Sequence, residues 1–319
     1  MAKKKKLPQI VKEIQNNPPE PLNFAFEKNI SFSQLSMYSQ CPKKWSLNYR
    51  EGHKVSEQSI HMTFGTAVHE TLQHYLDVMY ETSAAEADRI NIEEYFEEQL
   101  RDNYASAYKK NKNIHFSTPE EIREFYEDGV NILSFFKKKR SQYFSKKGTY
   151  LVGCEIPIIL PPNPYLQRVK YMGYLDVVMY NETVNKFTII DIKTSTKGWN
   201  KYAKKDEIKQ FQLVLYKKFF SQQYNIPIED IDIEFFIVKR KIWEDTEYPM
   251  SRIQQFIPAS GKTKLNKASK LLDTFISEVF SLDGSYKDRT FNPKPSKWNC
   301  TFCAFKENNK LCSAVGKSL

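Results

Sequence analysis

From Thr63 onward, Val68, Leu72, Tyr75, Leu76 and Met79 recur at three- and four-residue intervals and predict a helix to about Glu81 with one apolar face. Upstream, Ser31 is placed to cap a short helix that Cys41-Pro42 ends, because proline forces its predecessor out of helical geometry. Residues 83–148 read as a helical insertion, acidic and then lysine-rich, with a break near Asn111 to Pro119. The pattern then changes to β-branched and aromatic runs over 150–160, 168–180, 186–193 and 231–240, which predict strands. Between the last two, Ile208, Phe211, Leu215 and Phe219 predict a helix over Asp206 to Gln223. Three strands, a helix and a strand imply an α/β (α+β) fold, a mixed sheet flanked by helices. No internal repeat of 20–50 residues is present, which argues against a solenoid. The Lys3–Lys6 run, Asn16-Asn17-Pro18-Pro19 and Pro21 make residues 1–30 a flexible basic, proline-rich arm. The remainder, 31–319, reads as a single domain: N-terminal helices in 31–82, the insertion in 83–148, the sheet core in 149–260, and a C-terminal helix with a cysteine cluster in 261–319.

Composition narrows the class. Forty per cent hydrophobic and 14% aromatic residues belong to a folded globule, since a disordered chain lacks the groups that must leave water. The net charge of +10 leaves a surplus of six when the four lysines Lys3–Lys6 are set aside, so the body itself is basic. Such a field attracts polyphosphates, and it also suits an acidic membrane surface or an acidic protein partner. The basic start is followed by no apolar run within Leu7 to Phe24, and no stretch approaches the ~20 apolar residues that span a bilayer, so a cytoplasmic protein with no membrane association is expected. Five cysteines, an odd number without an export signal, read as thiols or metal ligands rather than a disulfide framework.

The candidate chemistry lies on a hairpin. Gly173-Tyr174-Leu175-Asp176 is followed by Asp191-Ile192-Lys193. A connection over about 181–186 sets Tyr180 opposite Phe187, and paired indices in an antiparallel ladder keep a constant sum, so Asp176 comes opposite Asp191 with Cβ atoms roughly 5 Å apart. Two carboxylates so placed repel unless a cation lies between them, and oxygen ligands suit Mg²⁺ or Mn²⁺. Lys193, two residues on, shares their face. Its ammonium could orient water or stabilise the charge that builds on a phosphate, while the metal lowers the pKa of the attacking water. A bare Asp-x-Lys recurs often on the wet face of a sheet. Here Ile189-Ile190 precedes it, so the charges continue a strand that otherwise reads as buried, where unpaired charge is costly.

These residues resemble the central Gly-x-x-Asp and Asp-x-Lys motifs of the PD-(D/E)XK nuclease superfamily, and within it the RecB-like and CRISPR-associated iron–sulfur nucleases. Gly65-Thr66-Ala67-Val68-His69 matches that group's Gly-x-x-x-His on an early helix, and Gln212-Leu213-Val214-Leu215-Tyr216 matches its Gln-x-x-x-Tyr after the Asp-x-Lys strand. The resemblance spans Ser31 to Cys312 and departs at Leu175, where the family's name has proline. It implies a restriction-endonuclease-like nuclease domain in which His69, Asp176, Asp191 and the Ile192 carbonyl ligate Mg²⁺ or Mn²⁺ and Lys193 is the catalytic lysine. Gln212 and Tyr216, one helical turn apart, would position the lysine and the nucleic-acid backbone. Glu155 corresponds to the family's first-strand glutamate and would bind or orient the metal; its other reading is an edge-strand surface charge. His53, His61, His74 and His115 read as ordinary core or surface histidines.

Cys300-Thr301-Phe302-Cys303 and Cys312 place three thiols within thirteen residues, and three local ligands need a fourth. In the RecB-like group an upstream cysteine supplies it, and Gln40-Cys41-Pro42-Lys43-Lys44-Trp45 looks like that context. The implication is a [4Fe–4S] cluster on Cys41, Cys300, Cys303 and Cys312 that clasps the C-terminal segment; four thiolates would serve zinc as well. Cys154 reads as a structural thiol on a strand. Beyond Lys193, the interleaved Lys197, Trp199, Lys201, Tyr202, Lys204 and Lys205 are candidates to hold phosphates and stack on a base of bound DNA. Lys239-Arg240-Lys241-Trp243 and Lys137 to Arg140 are further basic runs of a kind that usually just faces solvent.

The function expected is that of a metal-dependent DNA nuclease, an exonuclease acting on single-stranded or duplex DNA ends. The resemblance sets it in recombination, repair or replication, where a helicase or other recombination protein is the fitting partner. Two alternatives stand: a structure-specific or spacer-processing endonuclease, and a catalytically silent DNA-binding scaffold with an iron–sulfur or zinc clasp. The presence of Asp176, Asp191 and Lys193 together weighs against the scaffold.

Overall fold

The computed structural model describes residues 7–53, 58–243 and 250–314; the Lys3–Lys6 run lies outside them. In chain order the elements begin with α1 (Gln9–Asn16), β1 (Lys28–Ile30), α2 (Phe32–Gln40), α3 (Pro42–Trp45), α4 (Ile60–Glu81), α5 (Ala84–Arg89), α6 (Ile92–Lys110) and α7 (Pro119–Tyr143). They continue with β2 (Thr149–Leu160), β3 (Val169–Asn181), β4 (Lys186–Ser195), α8 (Lys201–Lys205), α9 (Glu207–Tyr224), β5 (Ile231–Lys239), β6 (Ile253–Phe256), α10 (Lys262–Val279) and α11 (Lys297–Thr301). The chain divides into two compact units. One comprises Met1–Pro18, Glu57–Ile156 and Tyr174–Ser260; the other comprises Pro19–Ser56, Pro157–Gly173 and Gly261–Leu319.

In the first unit β3 and β4 pair antiparallel, β4 and β5 parallel, and β5 and β6 antiparallel, with β2 on β3, which gives the mixed sheet. The hairpin register is the one the sequence sets: Tyr180 opposes Phe187 and Val177 opposes Ile190. Parallel neighbours need a long crossover, and α9 supplies it between β4 and β5, capped by Asp206, whose side chain accepts from the Ile208 and Lys209 amides. One sheet face, with Val177, Met179, Ile190, Ile192, Phe236 and Val238, shares a single core with Phe64 and Val68 of α4, Phe96 of α6 and Phe136 of α7. Residues 83–148 are therefore part of the core. Phe96 and Phe136 are fully buried, and each contributes roughly 1.5–3 kcal/mol through that burial.

Several short elements lie where the sequence suggested none, α1 and β6 among them. Residues 9–16, assigned to a flexible arm, form α1, because Val11 and Ile14 fall on one side of a helix and are buried there. Gln15 Nε2 also donates to the Val152 carbonyl at 3.0 Å. Ile253–Phe256 forms β6, too short for a period of two to show.

At Gly129 of α7 a Cβ would stand 2.2 Å from the ring of Phe96 in α6. Gly129→Ala is expected to destabilise the protein by roughly 1–3 kcal/mol through overpacking, read as a lower denaturant midpoint with an unchanged slope.

In the second unit, β1 pairs in parallel with the start of β3, Lys28 to Val169 and Ile30 to Tyr171. Ser31 caps α2 by accepting the Gln34 amide, as its position suggested. Helical structure resumes at Pro42, where a proline at the first turn loses no hydrogen bond. Trp45 is wholly buried among Tyr38, Phe275, Tyr286 and Phe291, and its Nε1–H donates to Gln34 Oε1 at 3.3 Å.

Candidate active site

Three elements of the first unit bring the hairpin carboxylates together with a helix. Gly65, His69 and Gln73 follow at four-residue steps on α4, so they share one face. Gly65 allows that face to close on β4, since a Cβ there would lie 3.2 Å from Thr194 Oγ1. His69 consequently reaches the carboxylates: its Nδ1 is 3.6 Å from Asp176 Oδ2.

Asp176 and Asp191 lie one step beyond Val177–Ile190, the last paired rung of the hairpin. There the ladder opens, and Asp176 Oδ2 accepts the Ile192 amide at 2.7 Å in place of a main-chain partner. Asp191 is 2% exposed, and Lys193 Nζ lies 2.7 Å from its Oδ2. Gln212 and Tyr216 are bonded to each other across one turn of α9, Nε2 to hydroxyl at 3.4 Å. Glu155, in β2, accepts from Gln73 Nε2 at 2.7 Å.

The electrostatics are those of crowded acids. Burial, then the charge of Asp191, lifts the Asp176 carboxyl well above the usual carboxylate range; the Glu155 charge adds to this, while Lys193 and the Ile192 amide oppose it. Burial likewise raises Asp191 against the pull of Lys193. Burial disfavours the Lys193 ammonium, yet Asp191 and Asp176 outweigh it and hold the amine protonated. His69 is pushed down to about 4 by burial and by Lys193, against a hydrogen bond to the Ile192 carbonyl. Its imidazole is neutral near pH 7 and offers a lone pair. Burial raises Tyr216, the hydrogen bond from Gln212 opposes this, and the charges of Asp191, Asp176 and Glu155 add to the rise.

A model of the PD-(D/E)XK nuclease superfamily matches residues 29–308. The chain belongs to that superfamily. As a PD-(D/E)XK protein it is a nuclease, a hydrolase of phosphodiester bonds, and members of the superfamily typically use Mg²⁺ or Mn²⁺. The chain is also similar to a crystal structure described as "Putative exonuclease" from Eubacterium rectale. The identity is 14% and the TM-score 0.46, with 88% of this chain and 95% of that chain covered. None of the curated proteins compared matches it.

The donor set of this PD-(D/E)XK site fits a hard divalent cation. Asp176 and Asp191 are carboxylates whose burial and mutual repulsion a cation would relieve, and the Ile192 carbonyl and a neutral His69 stand beside them. Lys193 pairs with Asp191, and Asp176 is turned to the Ile192 amide. Among the described residues no three His, Cys, Asp or Glu side chains form a ready cage.

The candidate nucleic-acid contacts divide. Tyr202 is 71% exposed, and Lys201 lies over its ring at 5.2 Å. Lys205 is also exposed. Trp199, by contrast, packs on Phe235 with ring centroids 4.8 Å apart and exchanges hydrogen bonds with the Gln254 side chain, so it is a wall residue rather than an open stacking platform. Lys204 lies over Phe256 at 5.7 Å and Lys197 over Trp243 at 5.0 Å. Arg240 and Lys241 are spent on ion pairs with Asp128 and Glu124 of α7, all within 2.8–3.0 Å. No described helix is long and apolar enough to cross a membrane.

In the second unit Cys41, Cys300, Cys303 and Cys312 line one narrow cavity of about 20 Å³ together with Lys43, Lys44, Lys294 and Lys306. The Lys294 amide donates to Cys41 Sγ at 3.4 Å, and Asn299 Nδ2 donates to the Gln40 carbonyl at 2.9 Å, which ties the end of α2 to the C-terminal segment. Cys154 is partly buried in the first unit, its thiol pushed up by burial and by Asp77.

Sequence reasoning missed Gln73. Its amide meets Glu155 and the Asp176 carbonyl, contacts that no motif announces.

Proposed function

We propose that this nuclease is a Mg²⁺- or Mn²⁺-dependent deoxyribonuclease that degrades DNA from single-stranded or duplex ends. The observation that carries the reading is the crowding of Asp176 with the buried Asp191, with the Lys193 ammonium 2.7 Å from Asp191. Asp176, Asp191 and the Ile192 carbonyl would hold the metal, helped by His69 and Glu155, and the bound ion supplies Lewis acidity and an acidified water. Lys193, which stands beside Asp191, would face the scissile phosphate and stabilise transition-state charge there. Tyr216 and Gln212, bonded to each other on α9, would orient the lysine and the strand. Tyr202, Lys201 and Lys205 guide DNA toward it. End-labelled linear and covalently closed circular DNA, incubated with Mn²⁺, test the mode. Loss of the linear substrate alone is expected; cleavage of the circle at the same rate would make the enzyme an endonuclease.

The proposal extends to a [4Fe–4S] cluster on Cys41, Cys300, Cys303 and Cys312: all four line one cavity, although no three of them stand as a ready-made ligand set among the described residues. Protein purified without oxygen is expected to be brown, with roughly four irons per chain, and Cys303→Ser to be colourless. A colourless wild type with one zinc would replace the cluster and leave the nuclease reading untouched.

A further inference from the structure

Gln73 belongs to none of the recognised motifs, yet through it α4 reaches two strands at the site. The residue is 7% exposed and one helical turn past His69. Its Nε2 donates to Glu155 Oε1 at 2.7 Å and to the Asp176 main-chain carbonyl at 2.9 Å. Both hydrogens of one buried amide are thereby used.

Glu155 is its opposite in character. The residue is exposed to solvent and stands in the left-handed region at φ +50 within an otherwise extended strand. Such a residue re-aims its side chain out of the regular alternation, a device common beside active sites. An exposed glutamate explores many rotamers, so its carboxylate acts at a fixed point only if a partner holds it. Gln73 is that partner. A neutral amide donates to an ionised carboxylate without bringing a positive charge that would compete with a cation.

We propose that Gln73 is a positioning residue that fixes Glu155 as a third carboxylate beside Asp176 and Asp191 for the divalent cation. This rests on the metal-site reading above. By bonding the Asp176 carbonyl as well, the same amide sets Glu155 and Asp176 at a constant spacing.

Mn²⁺ binding to the full chain, followed by the resonance of the free ion, tests it without recourse to activity. Gln73→Leu is expected to weaken binding roughly 10–100-fold, the usual effect of removing a residue that orients a ligand. Gln73→Glu, of equal shape but able only to accept when ionised, is expected to weaken it too. Glu155→Gln should lose a similar factor, and Gln73→Leu added to Glu155→Gln should lose nothing more. Melting of the metal-free proteins reports folding; if Gln73→Leu does not fold, Gln73→Met and Gln73→Glu carry the comparison. Wild-type Mn²⁺ binding in the folded Gln73 variants, or losses that add in the double variant, would overturn the positioning role. If Asp191→Asn abolishes binding while the Gln73 variants keep it, the positioning role alone falls. A wild type that binds no Mn²⁺ overturns the metal site and this role with it.

Discussion

Asp191→Asn is expected to slow Mn²⁺-dependent cleavage roughly 10³-fold or more, because the Lewis-acid contribution it supports is worth several kcal/mol of transition-state stabilisation. The same substitution relieves the crowding with Asp176 but removes the counter-charge of Lys193, so the stability of the metal-free protein is expected to change little. Asp191 is almost fully buried, and burial raises its carboxyl above the unfolded value. An acid with a raised folded-state pKa gives a stability contribution that is present at low pH and is lost as pH rises through the folded value. The wild-type protein without metal should therefore lose stability over that rise, and Asp191→Asn should lose less. Saturating Mn²⁺ should raise the wild-type melting temperature and not that of the variant, since binding to the folded state alone stabilises by about 2.7 kcal/mol at a hundredfold excess over Kd. Activity falling while metal-free stability holds separates a functional acid from a structural one. A variant that cuts at the wild-type rate would remove Asp191 from the site.

Lys193→Met is expected to reduce the rate constant at saturating substrate roughly 10²–10³-fold, the effect of deleting one donor aimed at transition-state charge. Its Mn²⁺ affinity should be unchanged or higher, because the ammonium now 2.7 Å from Asp191 competes for the same oxygen. The pair of variants thus separates metal holding from transition-state stabilisation: one loses the ion, the other keeps it. Cleavage by Lys193→Met at the wild-type rate would leave the amine as a mere counter-charge.

The hairpin was legible because a short turn fixes register, and register carries chemistry: once Tyr180 faces Phe187, the positions of Asp176 and Asp191 follow. The cap at Ser31 and the crossover α9 were legible for the same local reasons. What escaped was set by tertiary contact. Helix α1 is eight residues long and owes its order to the burial of Val11 and Ile14, which nothing in a proline- and lysine-flanked segment advertises. The opening of the ladder that turns Asp176 to the Ile192 amide lies beyond any period-two rule. Trp199 among lysines looks like a base-stacking platform, but Phe235 and Phe256 claim its ring for packing. Arg240 and Lys241 belong to a basic run that reads as facing solvent, and the acids that neutralise them stand over a hundred residues earlier in the chain. Gln73 is silent in sequence because an amide bonded to a main-chain carbonyl leaves no pattern.

The central claim is that Asp176 and Asp191 share one divalent ion. A crystal soaked in Mn²⁺ and measured at a wavelength where manganese scatters anomalously tests it most directly. The expected result is a single strong peak within roughly 2.0–2.3 Å of an oxygen from each carboxylate, with the Lys193 amine moved off Asp191. A peak lodged elsewhere, with Asp176 still bonded to the Ile192 amide and Lys193 still on Asp191, would contradict it.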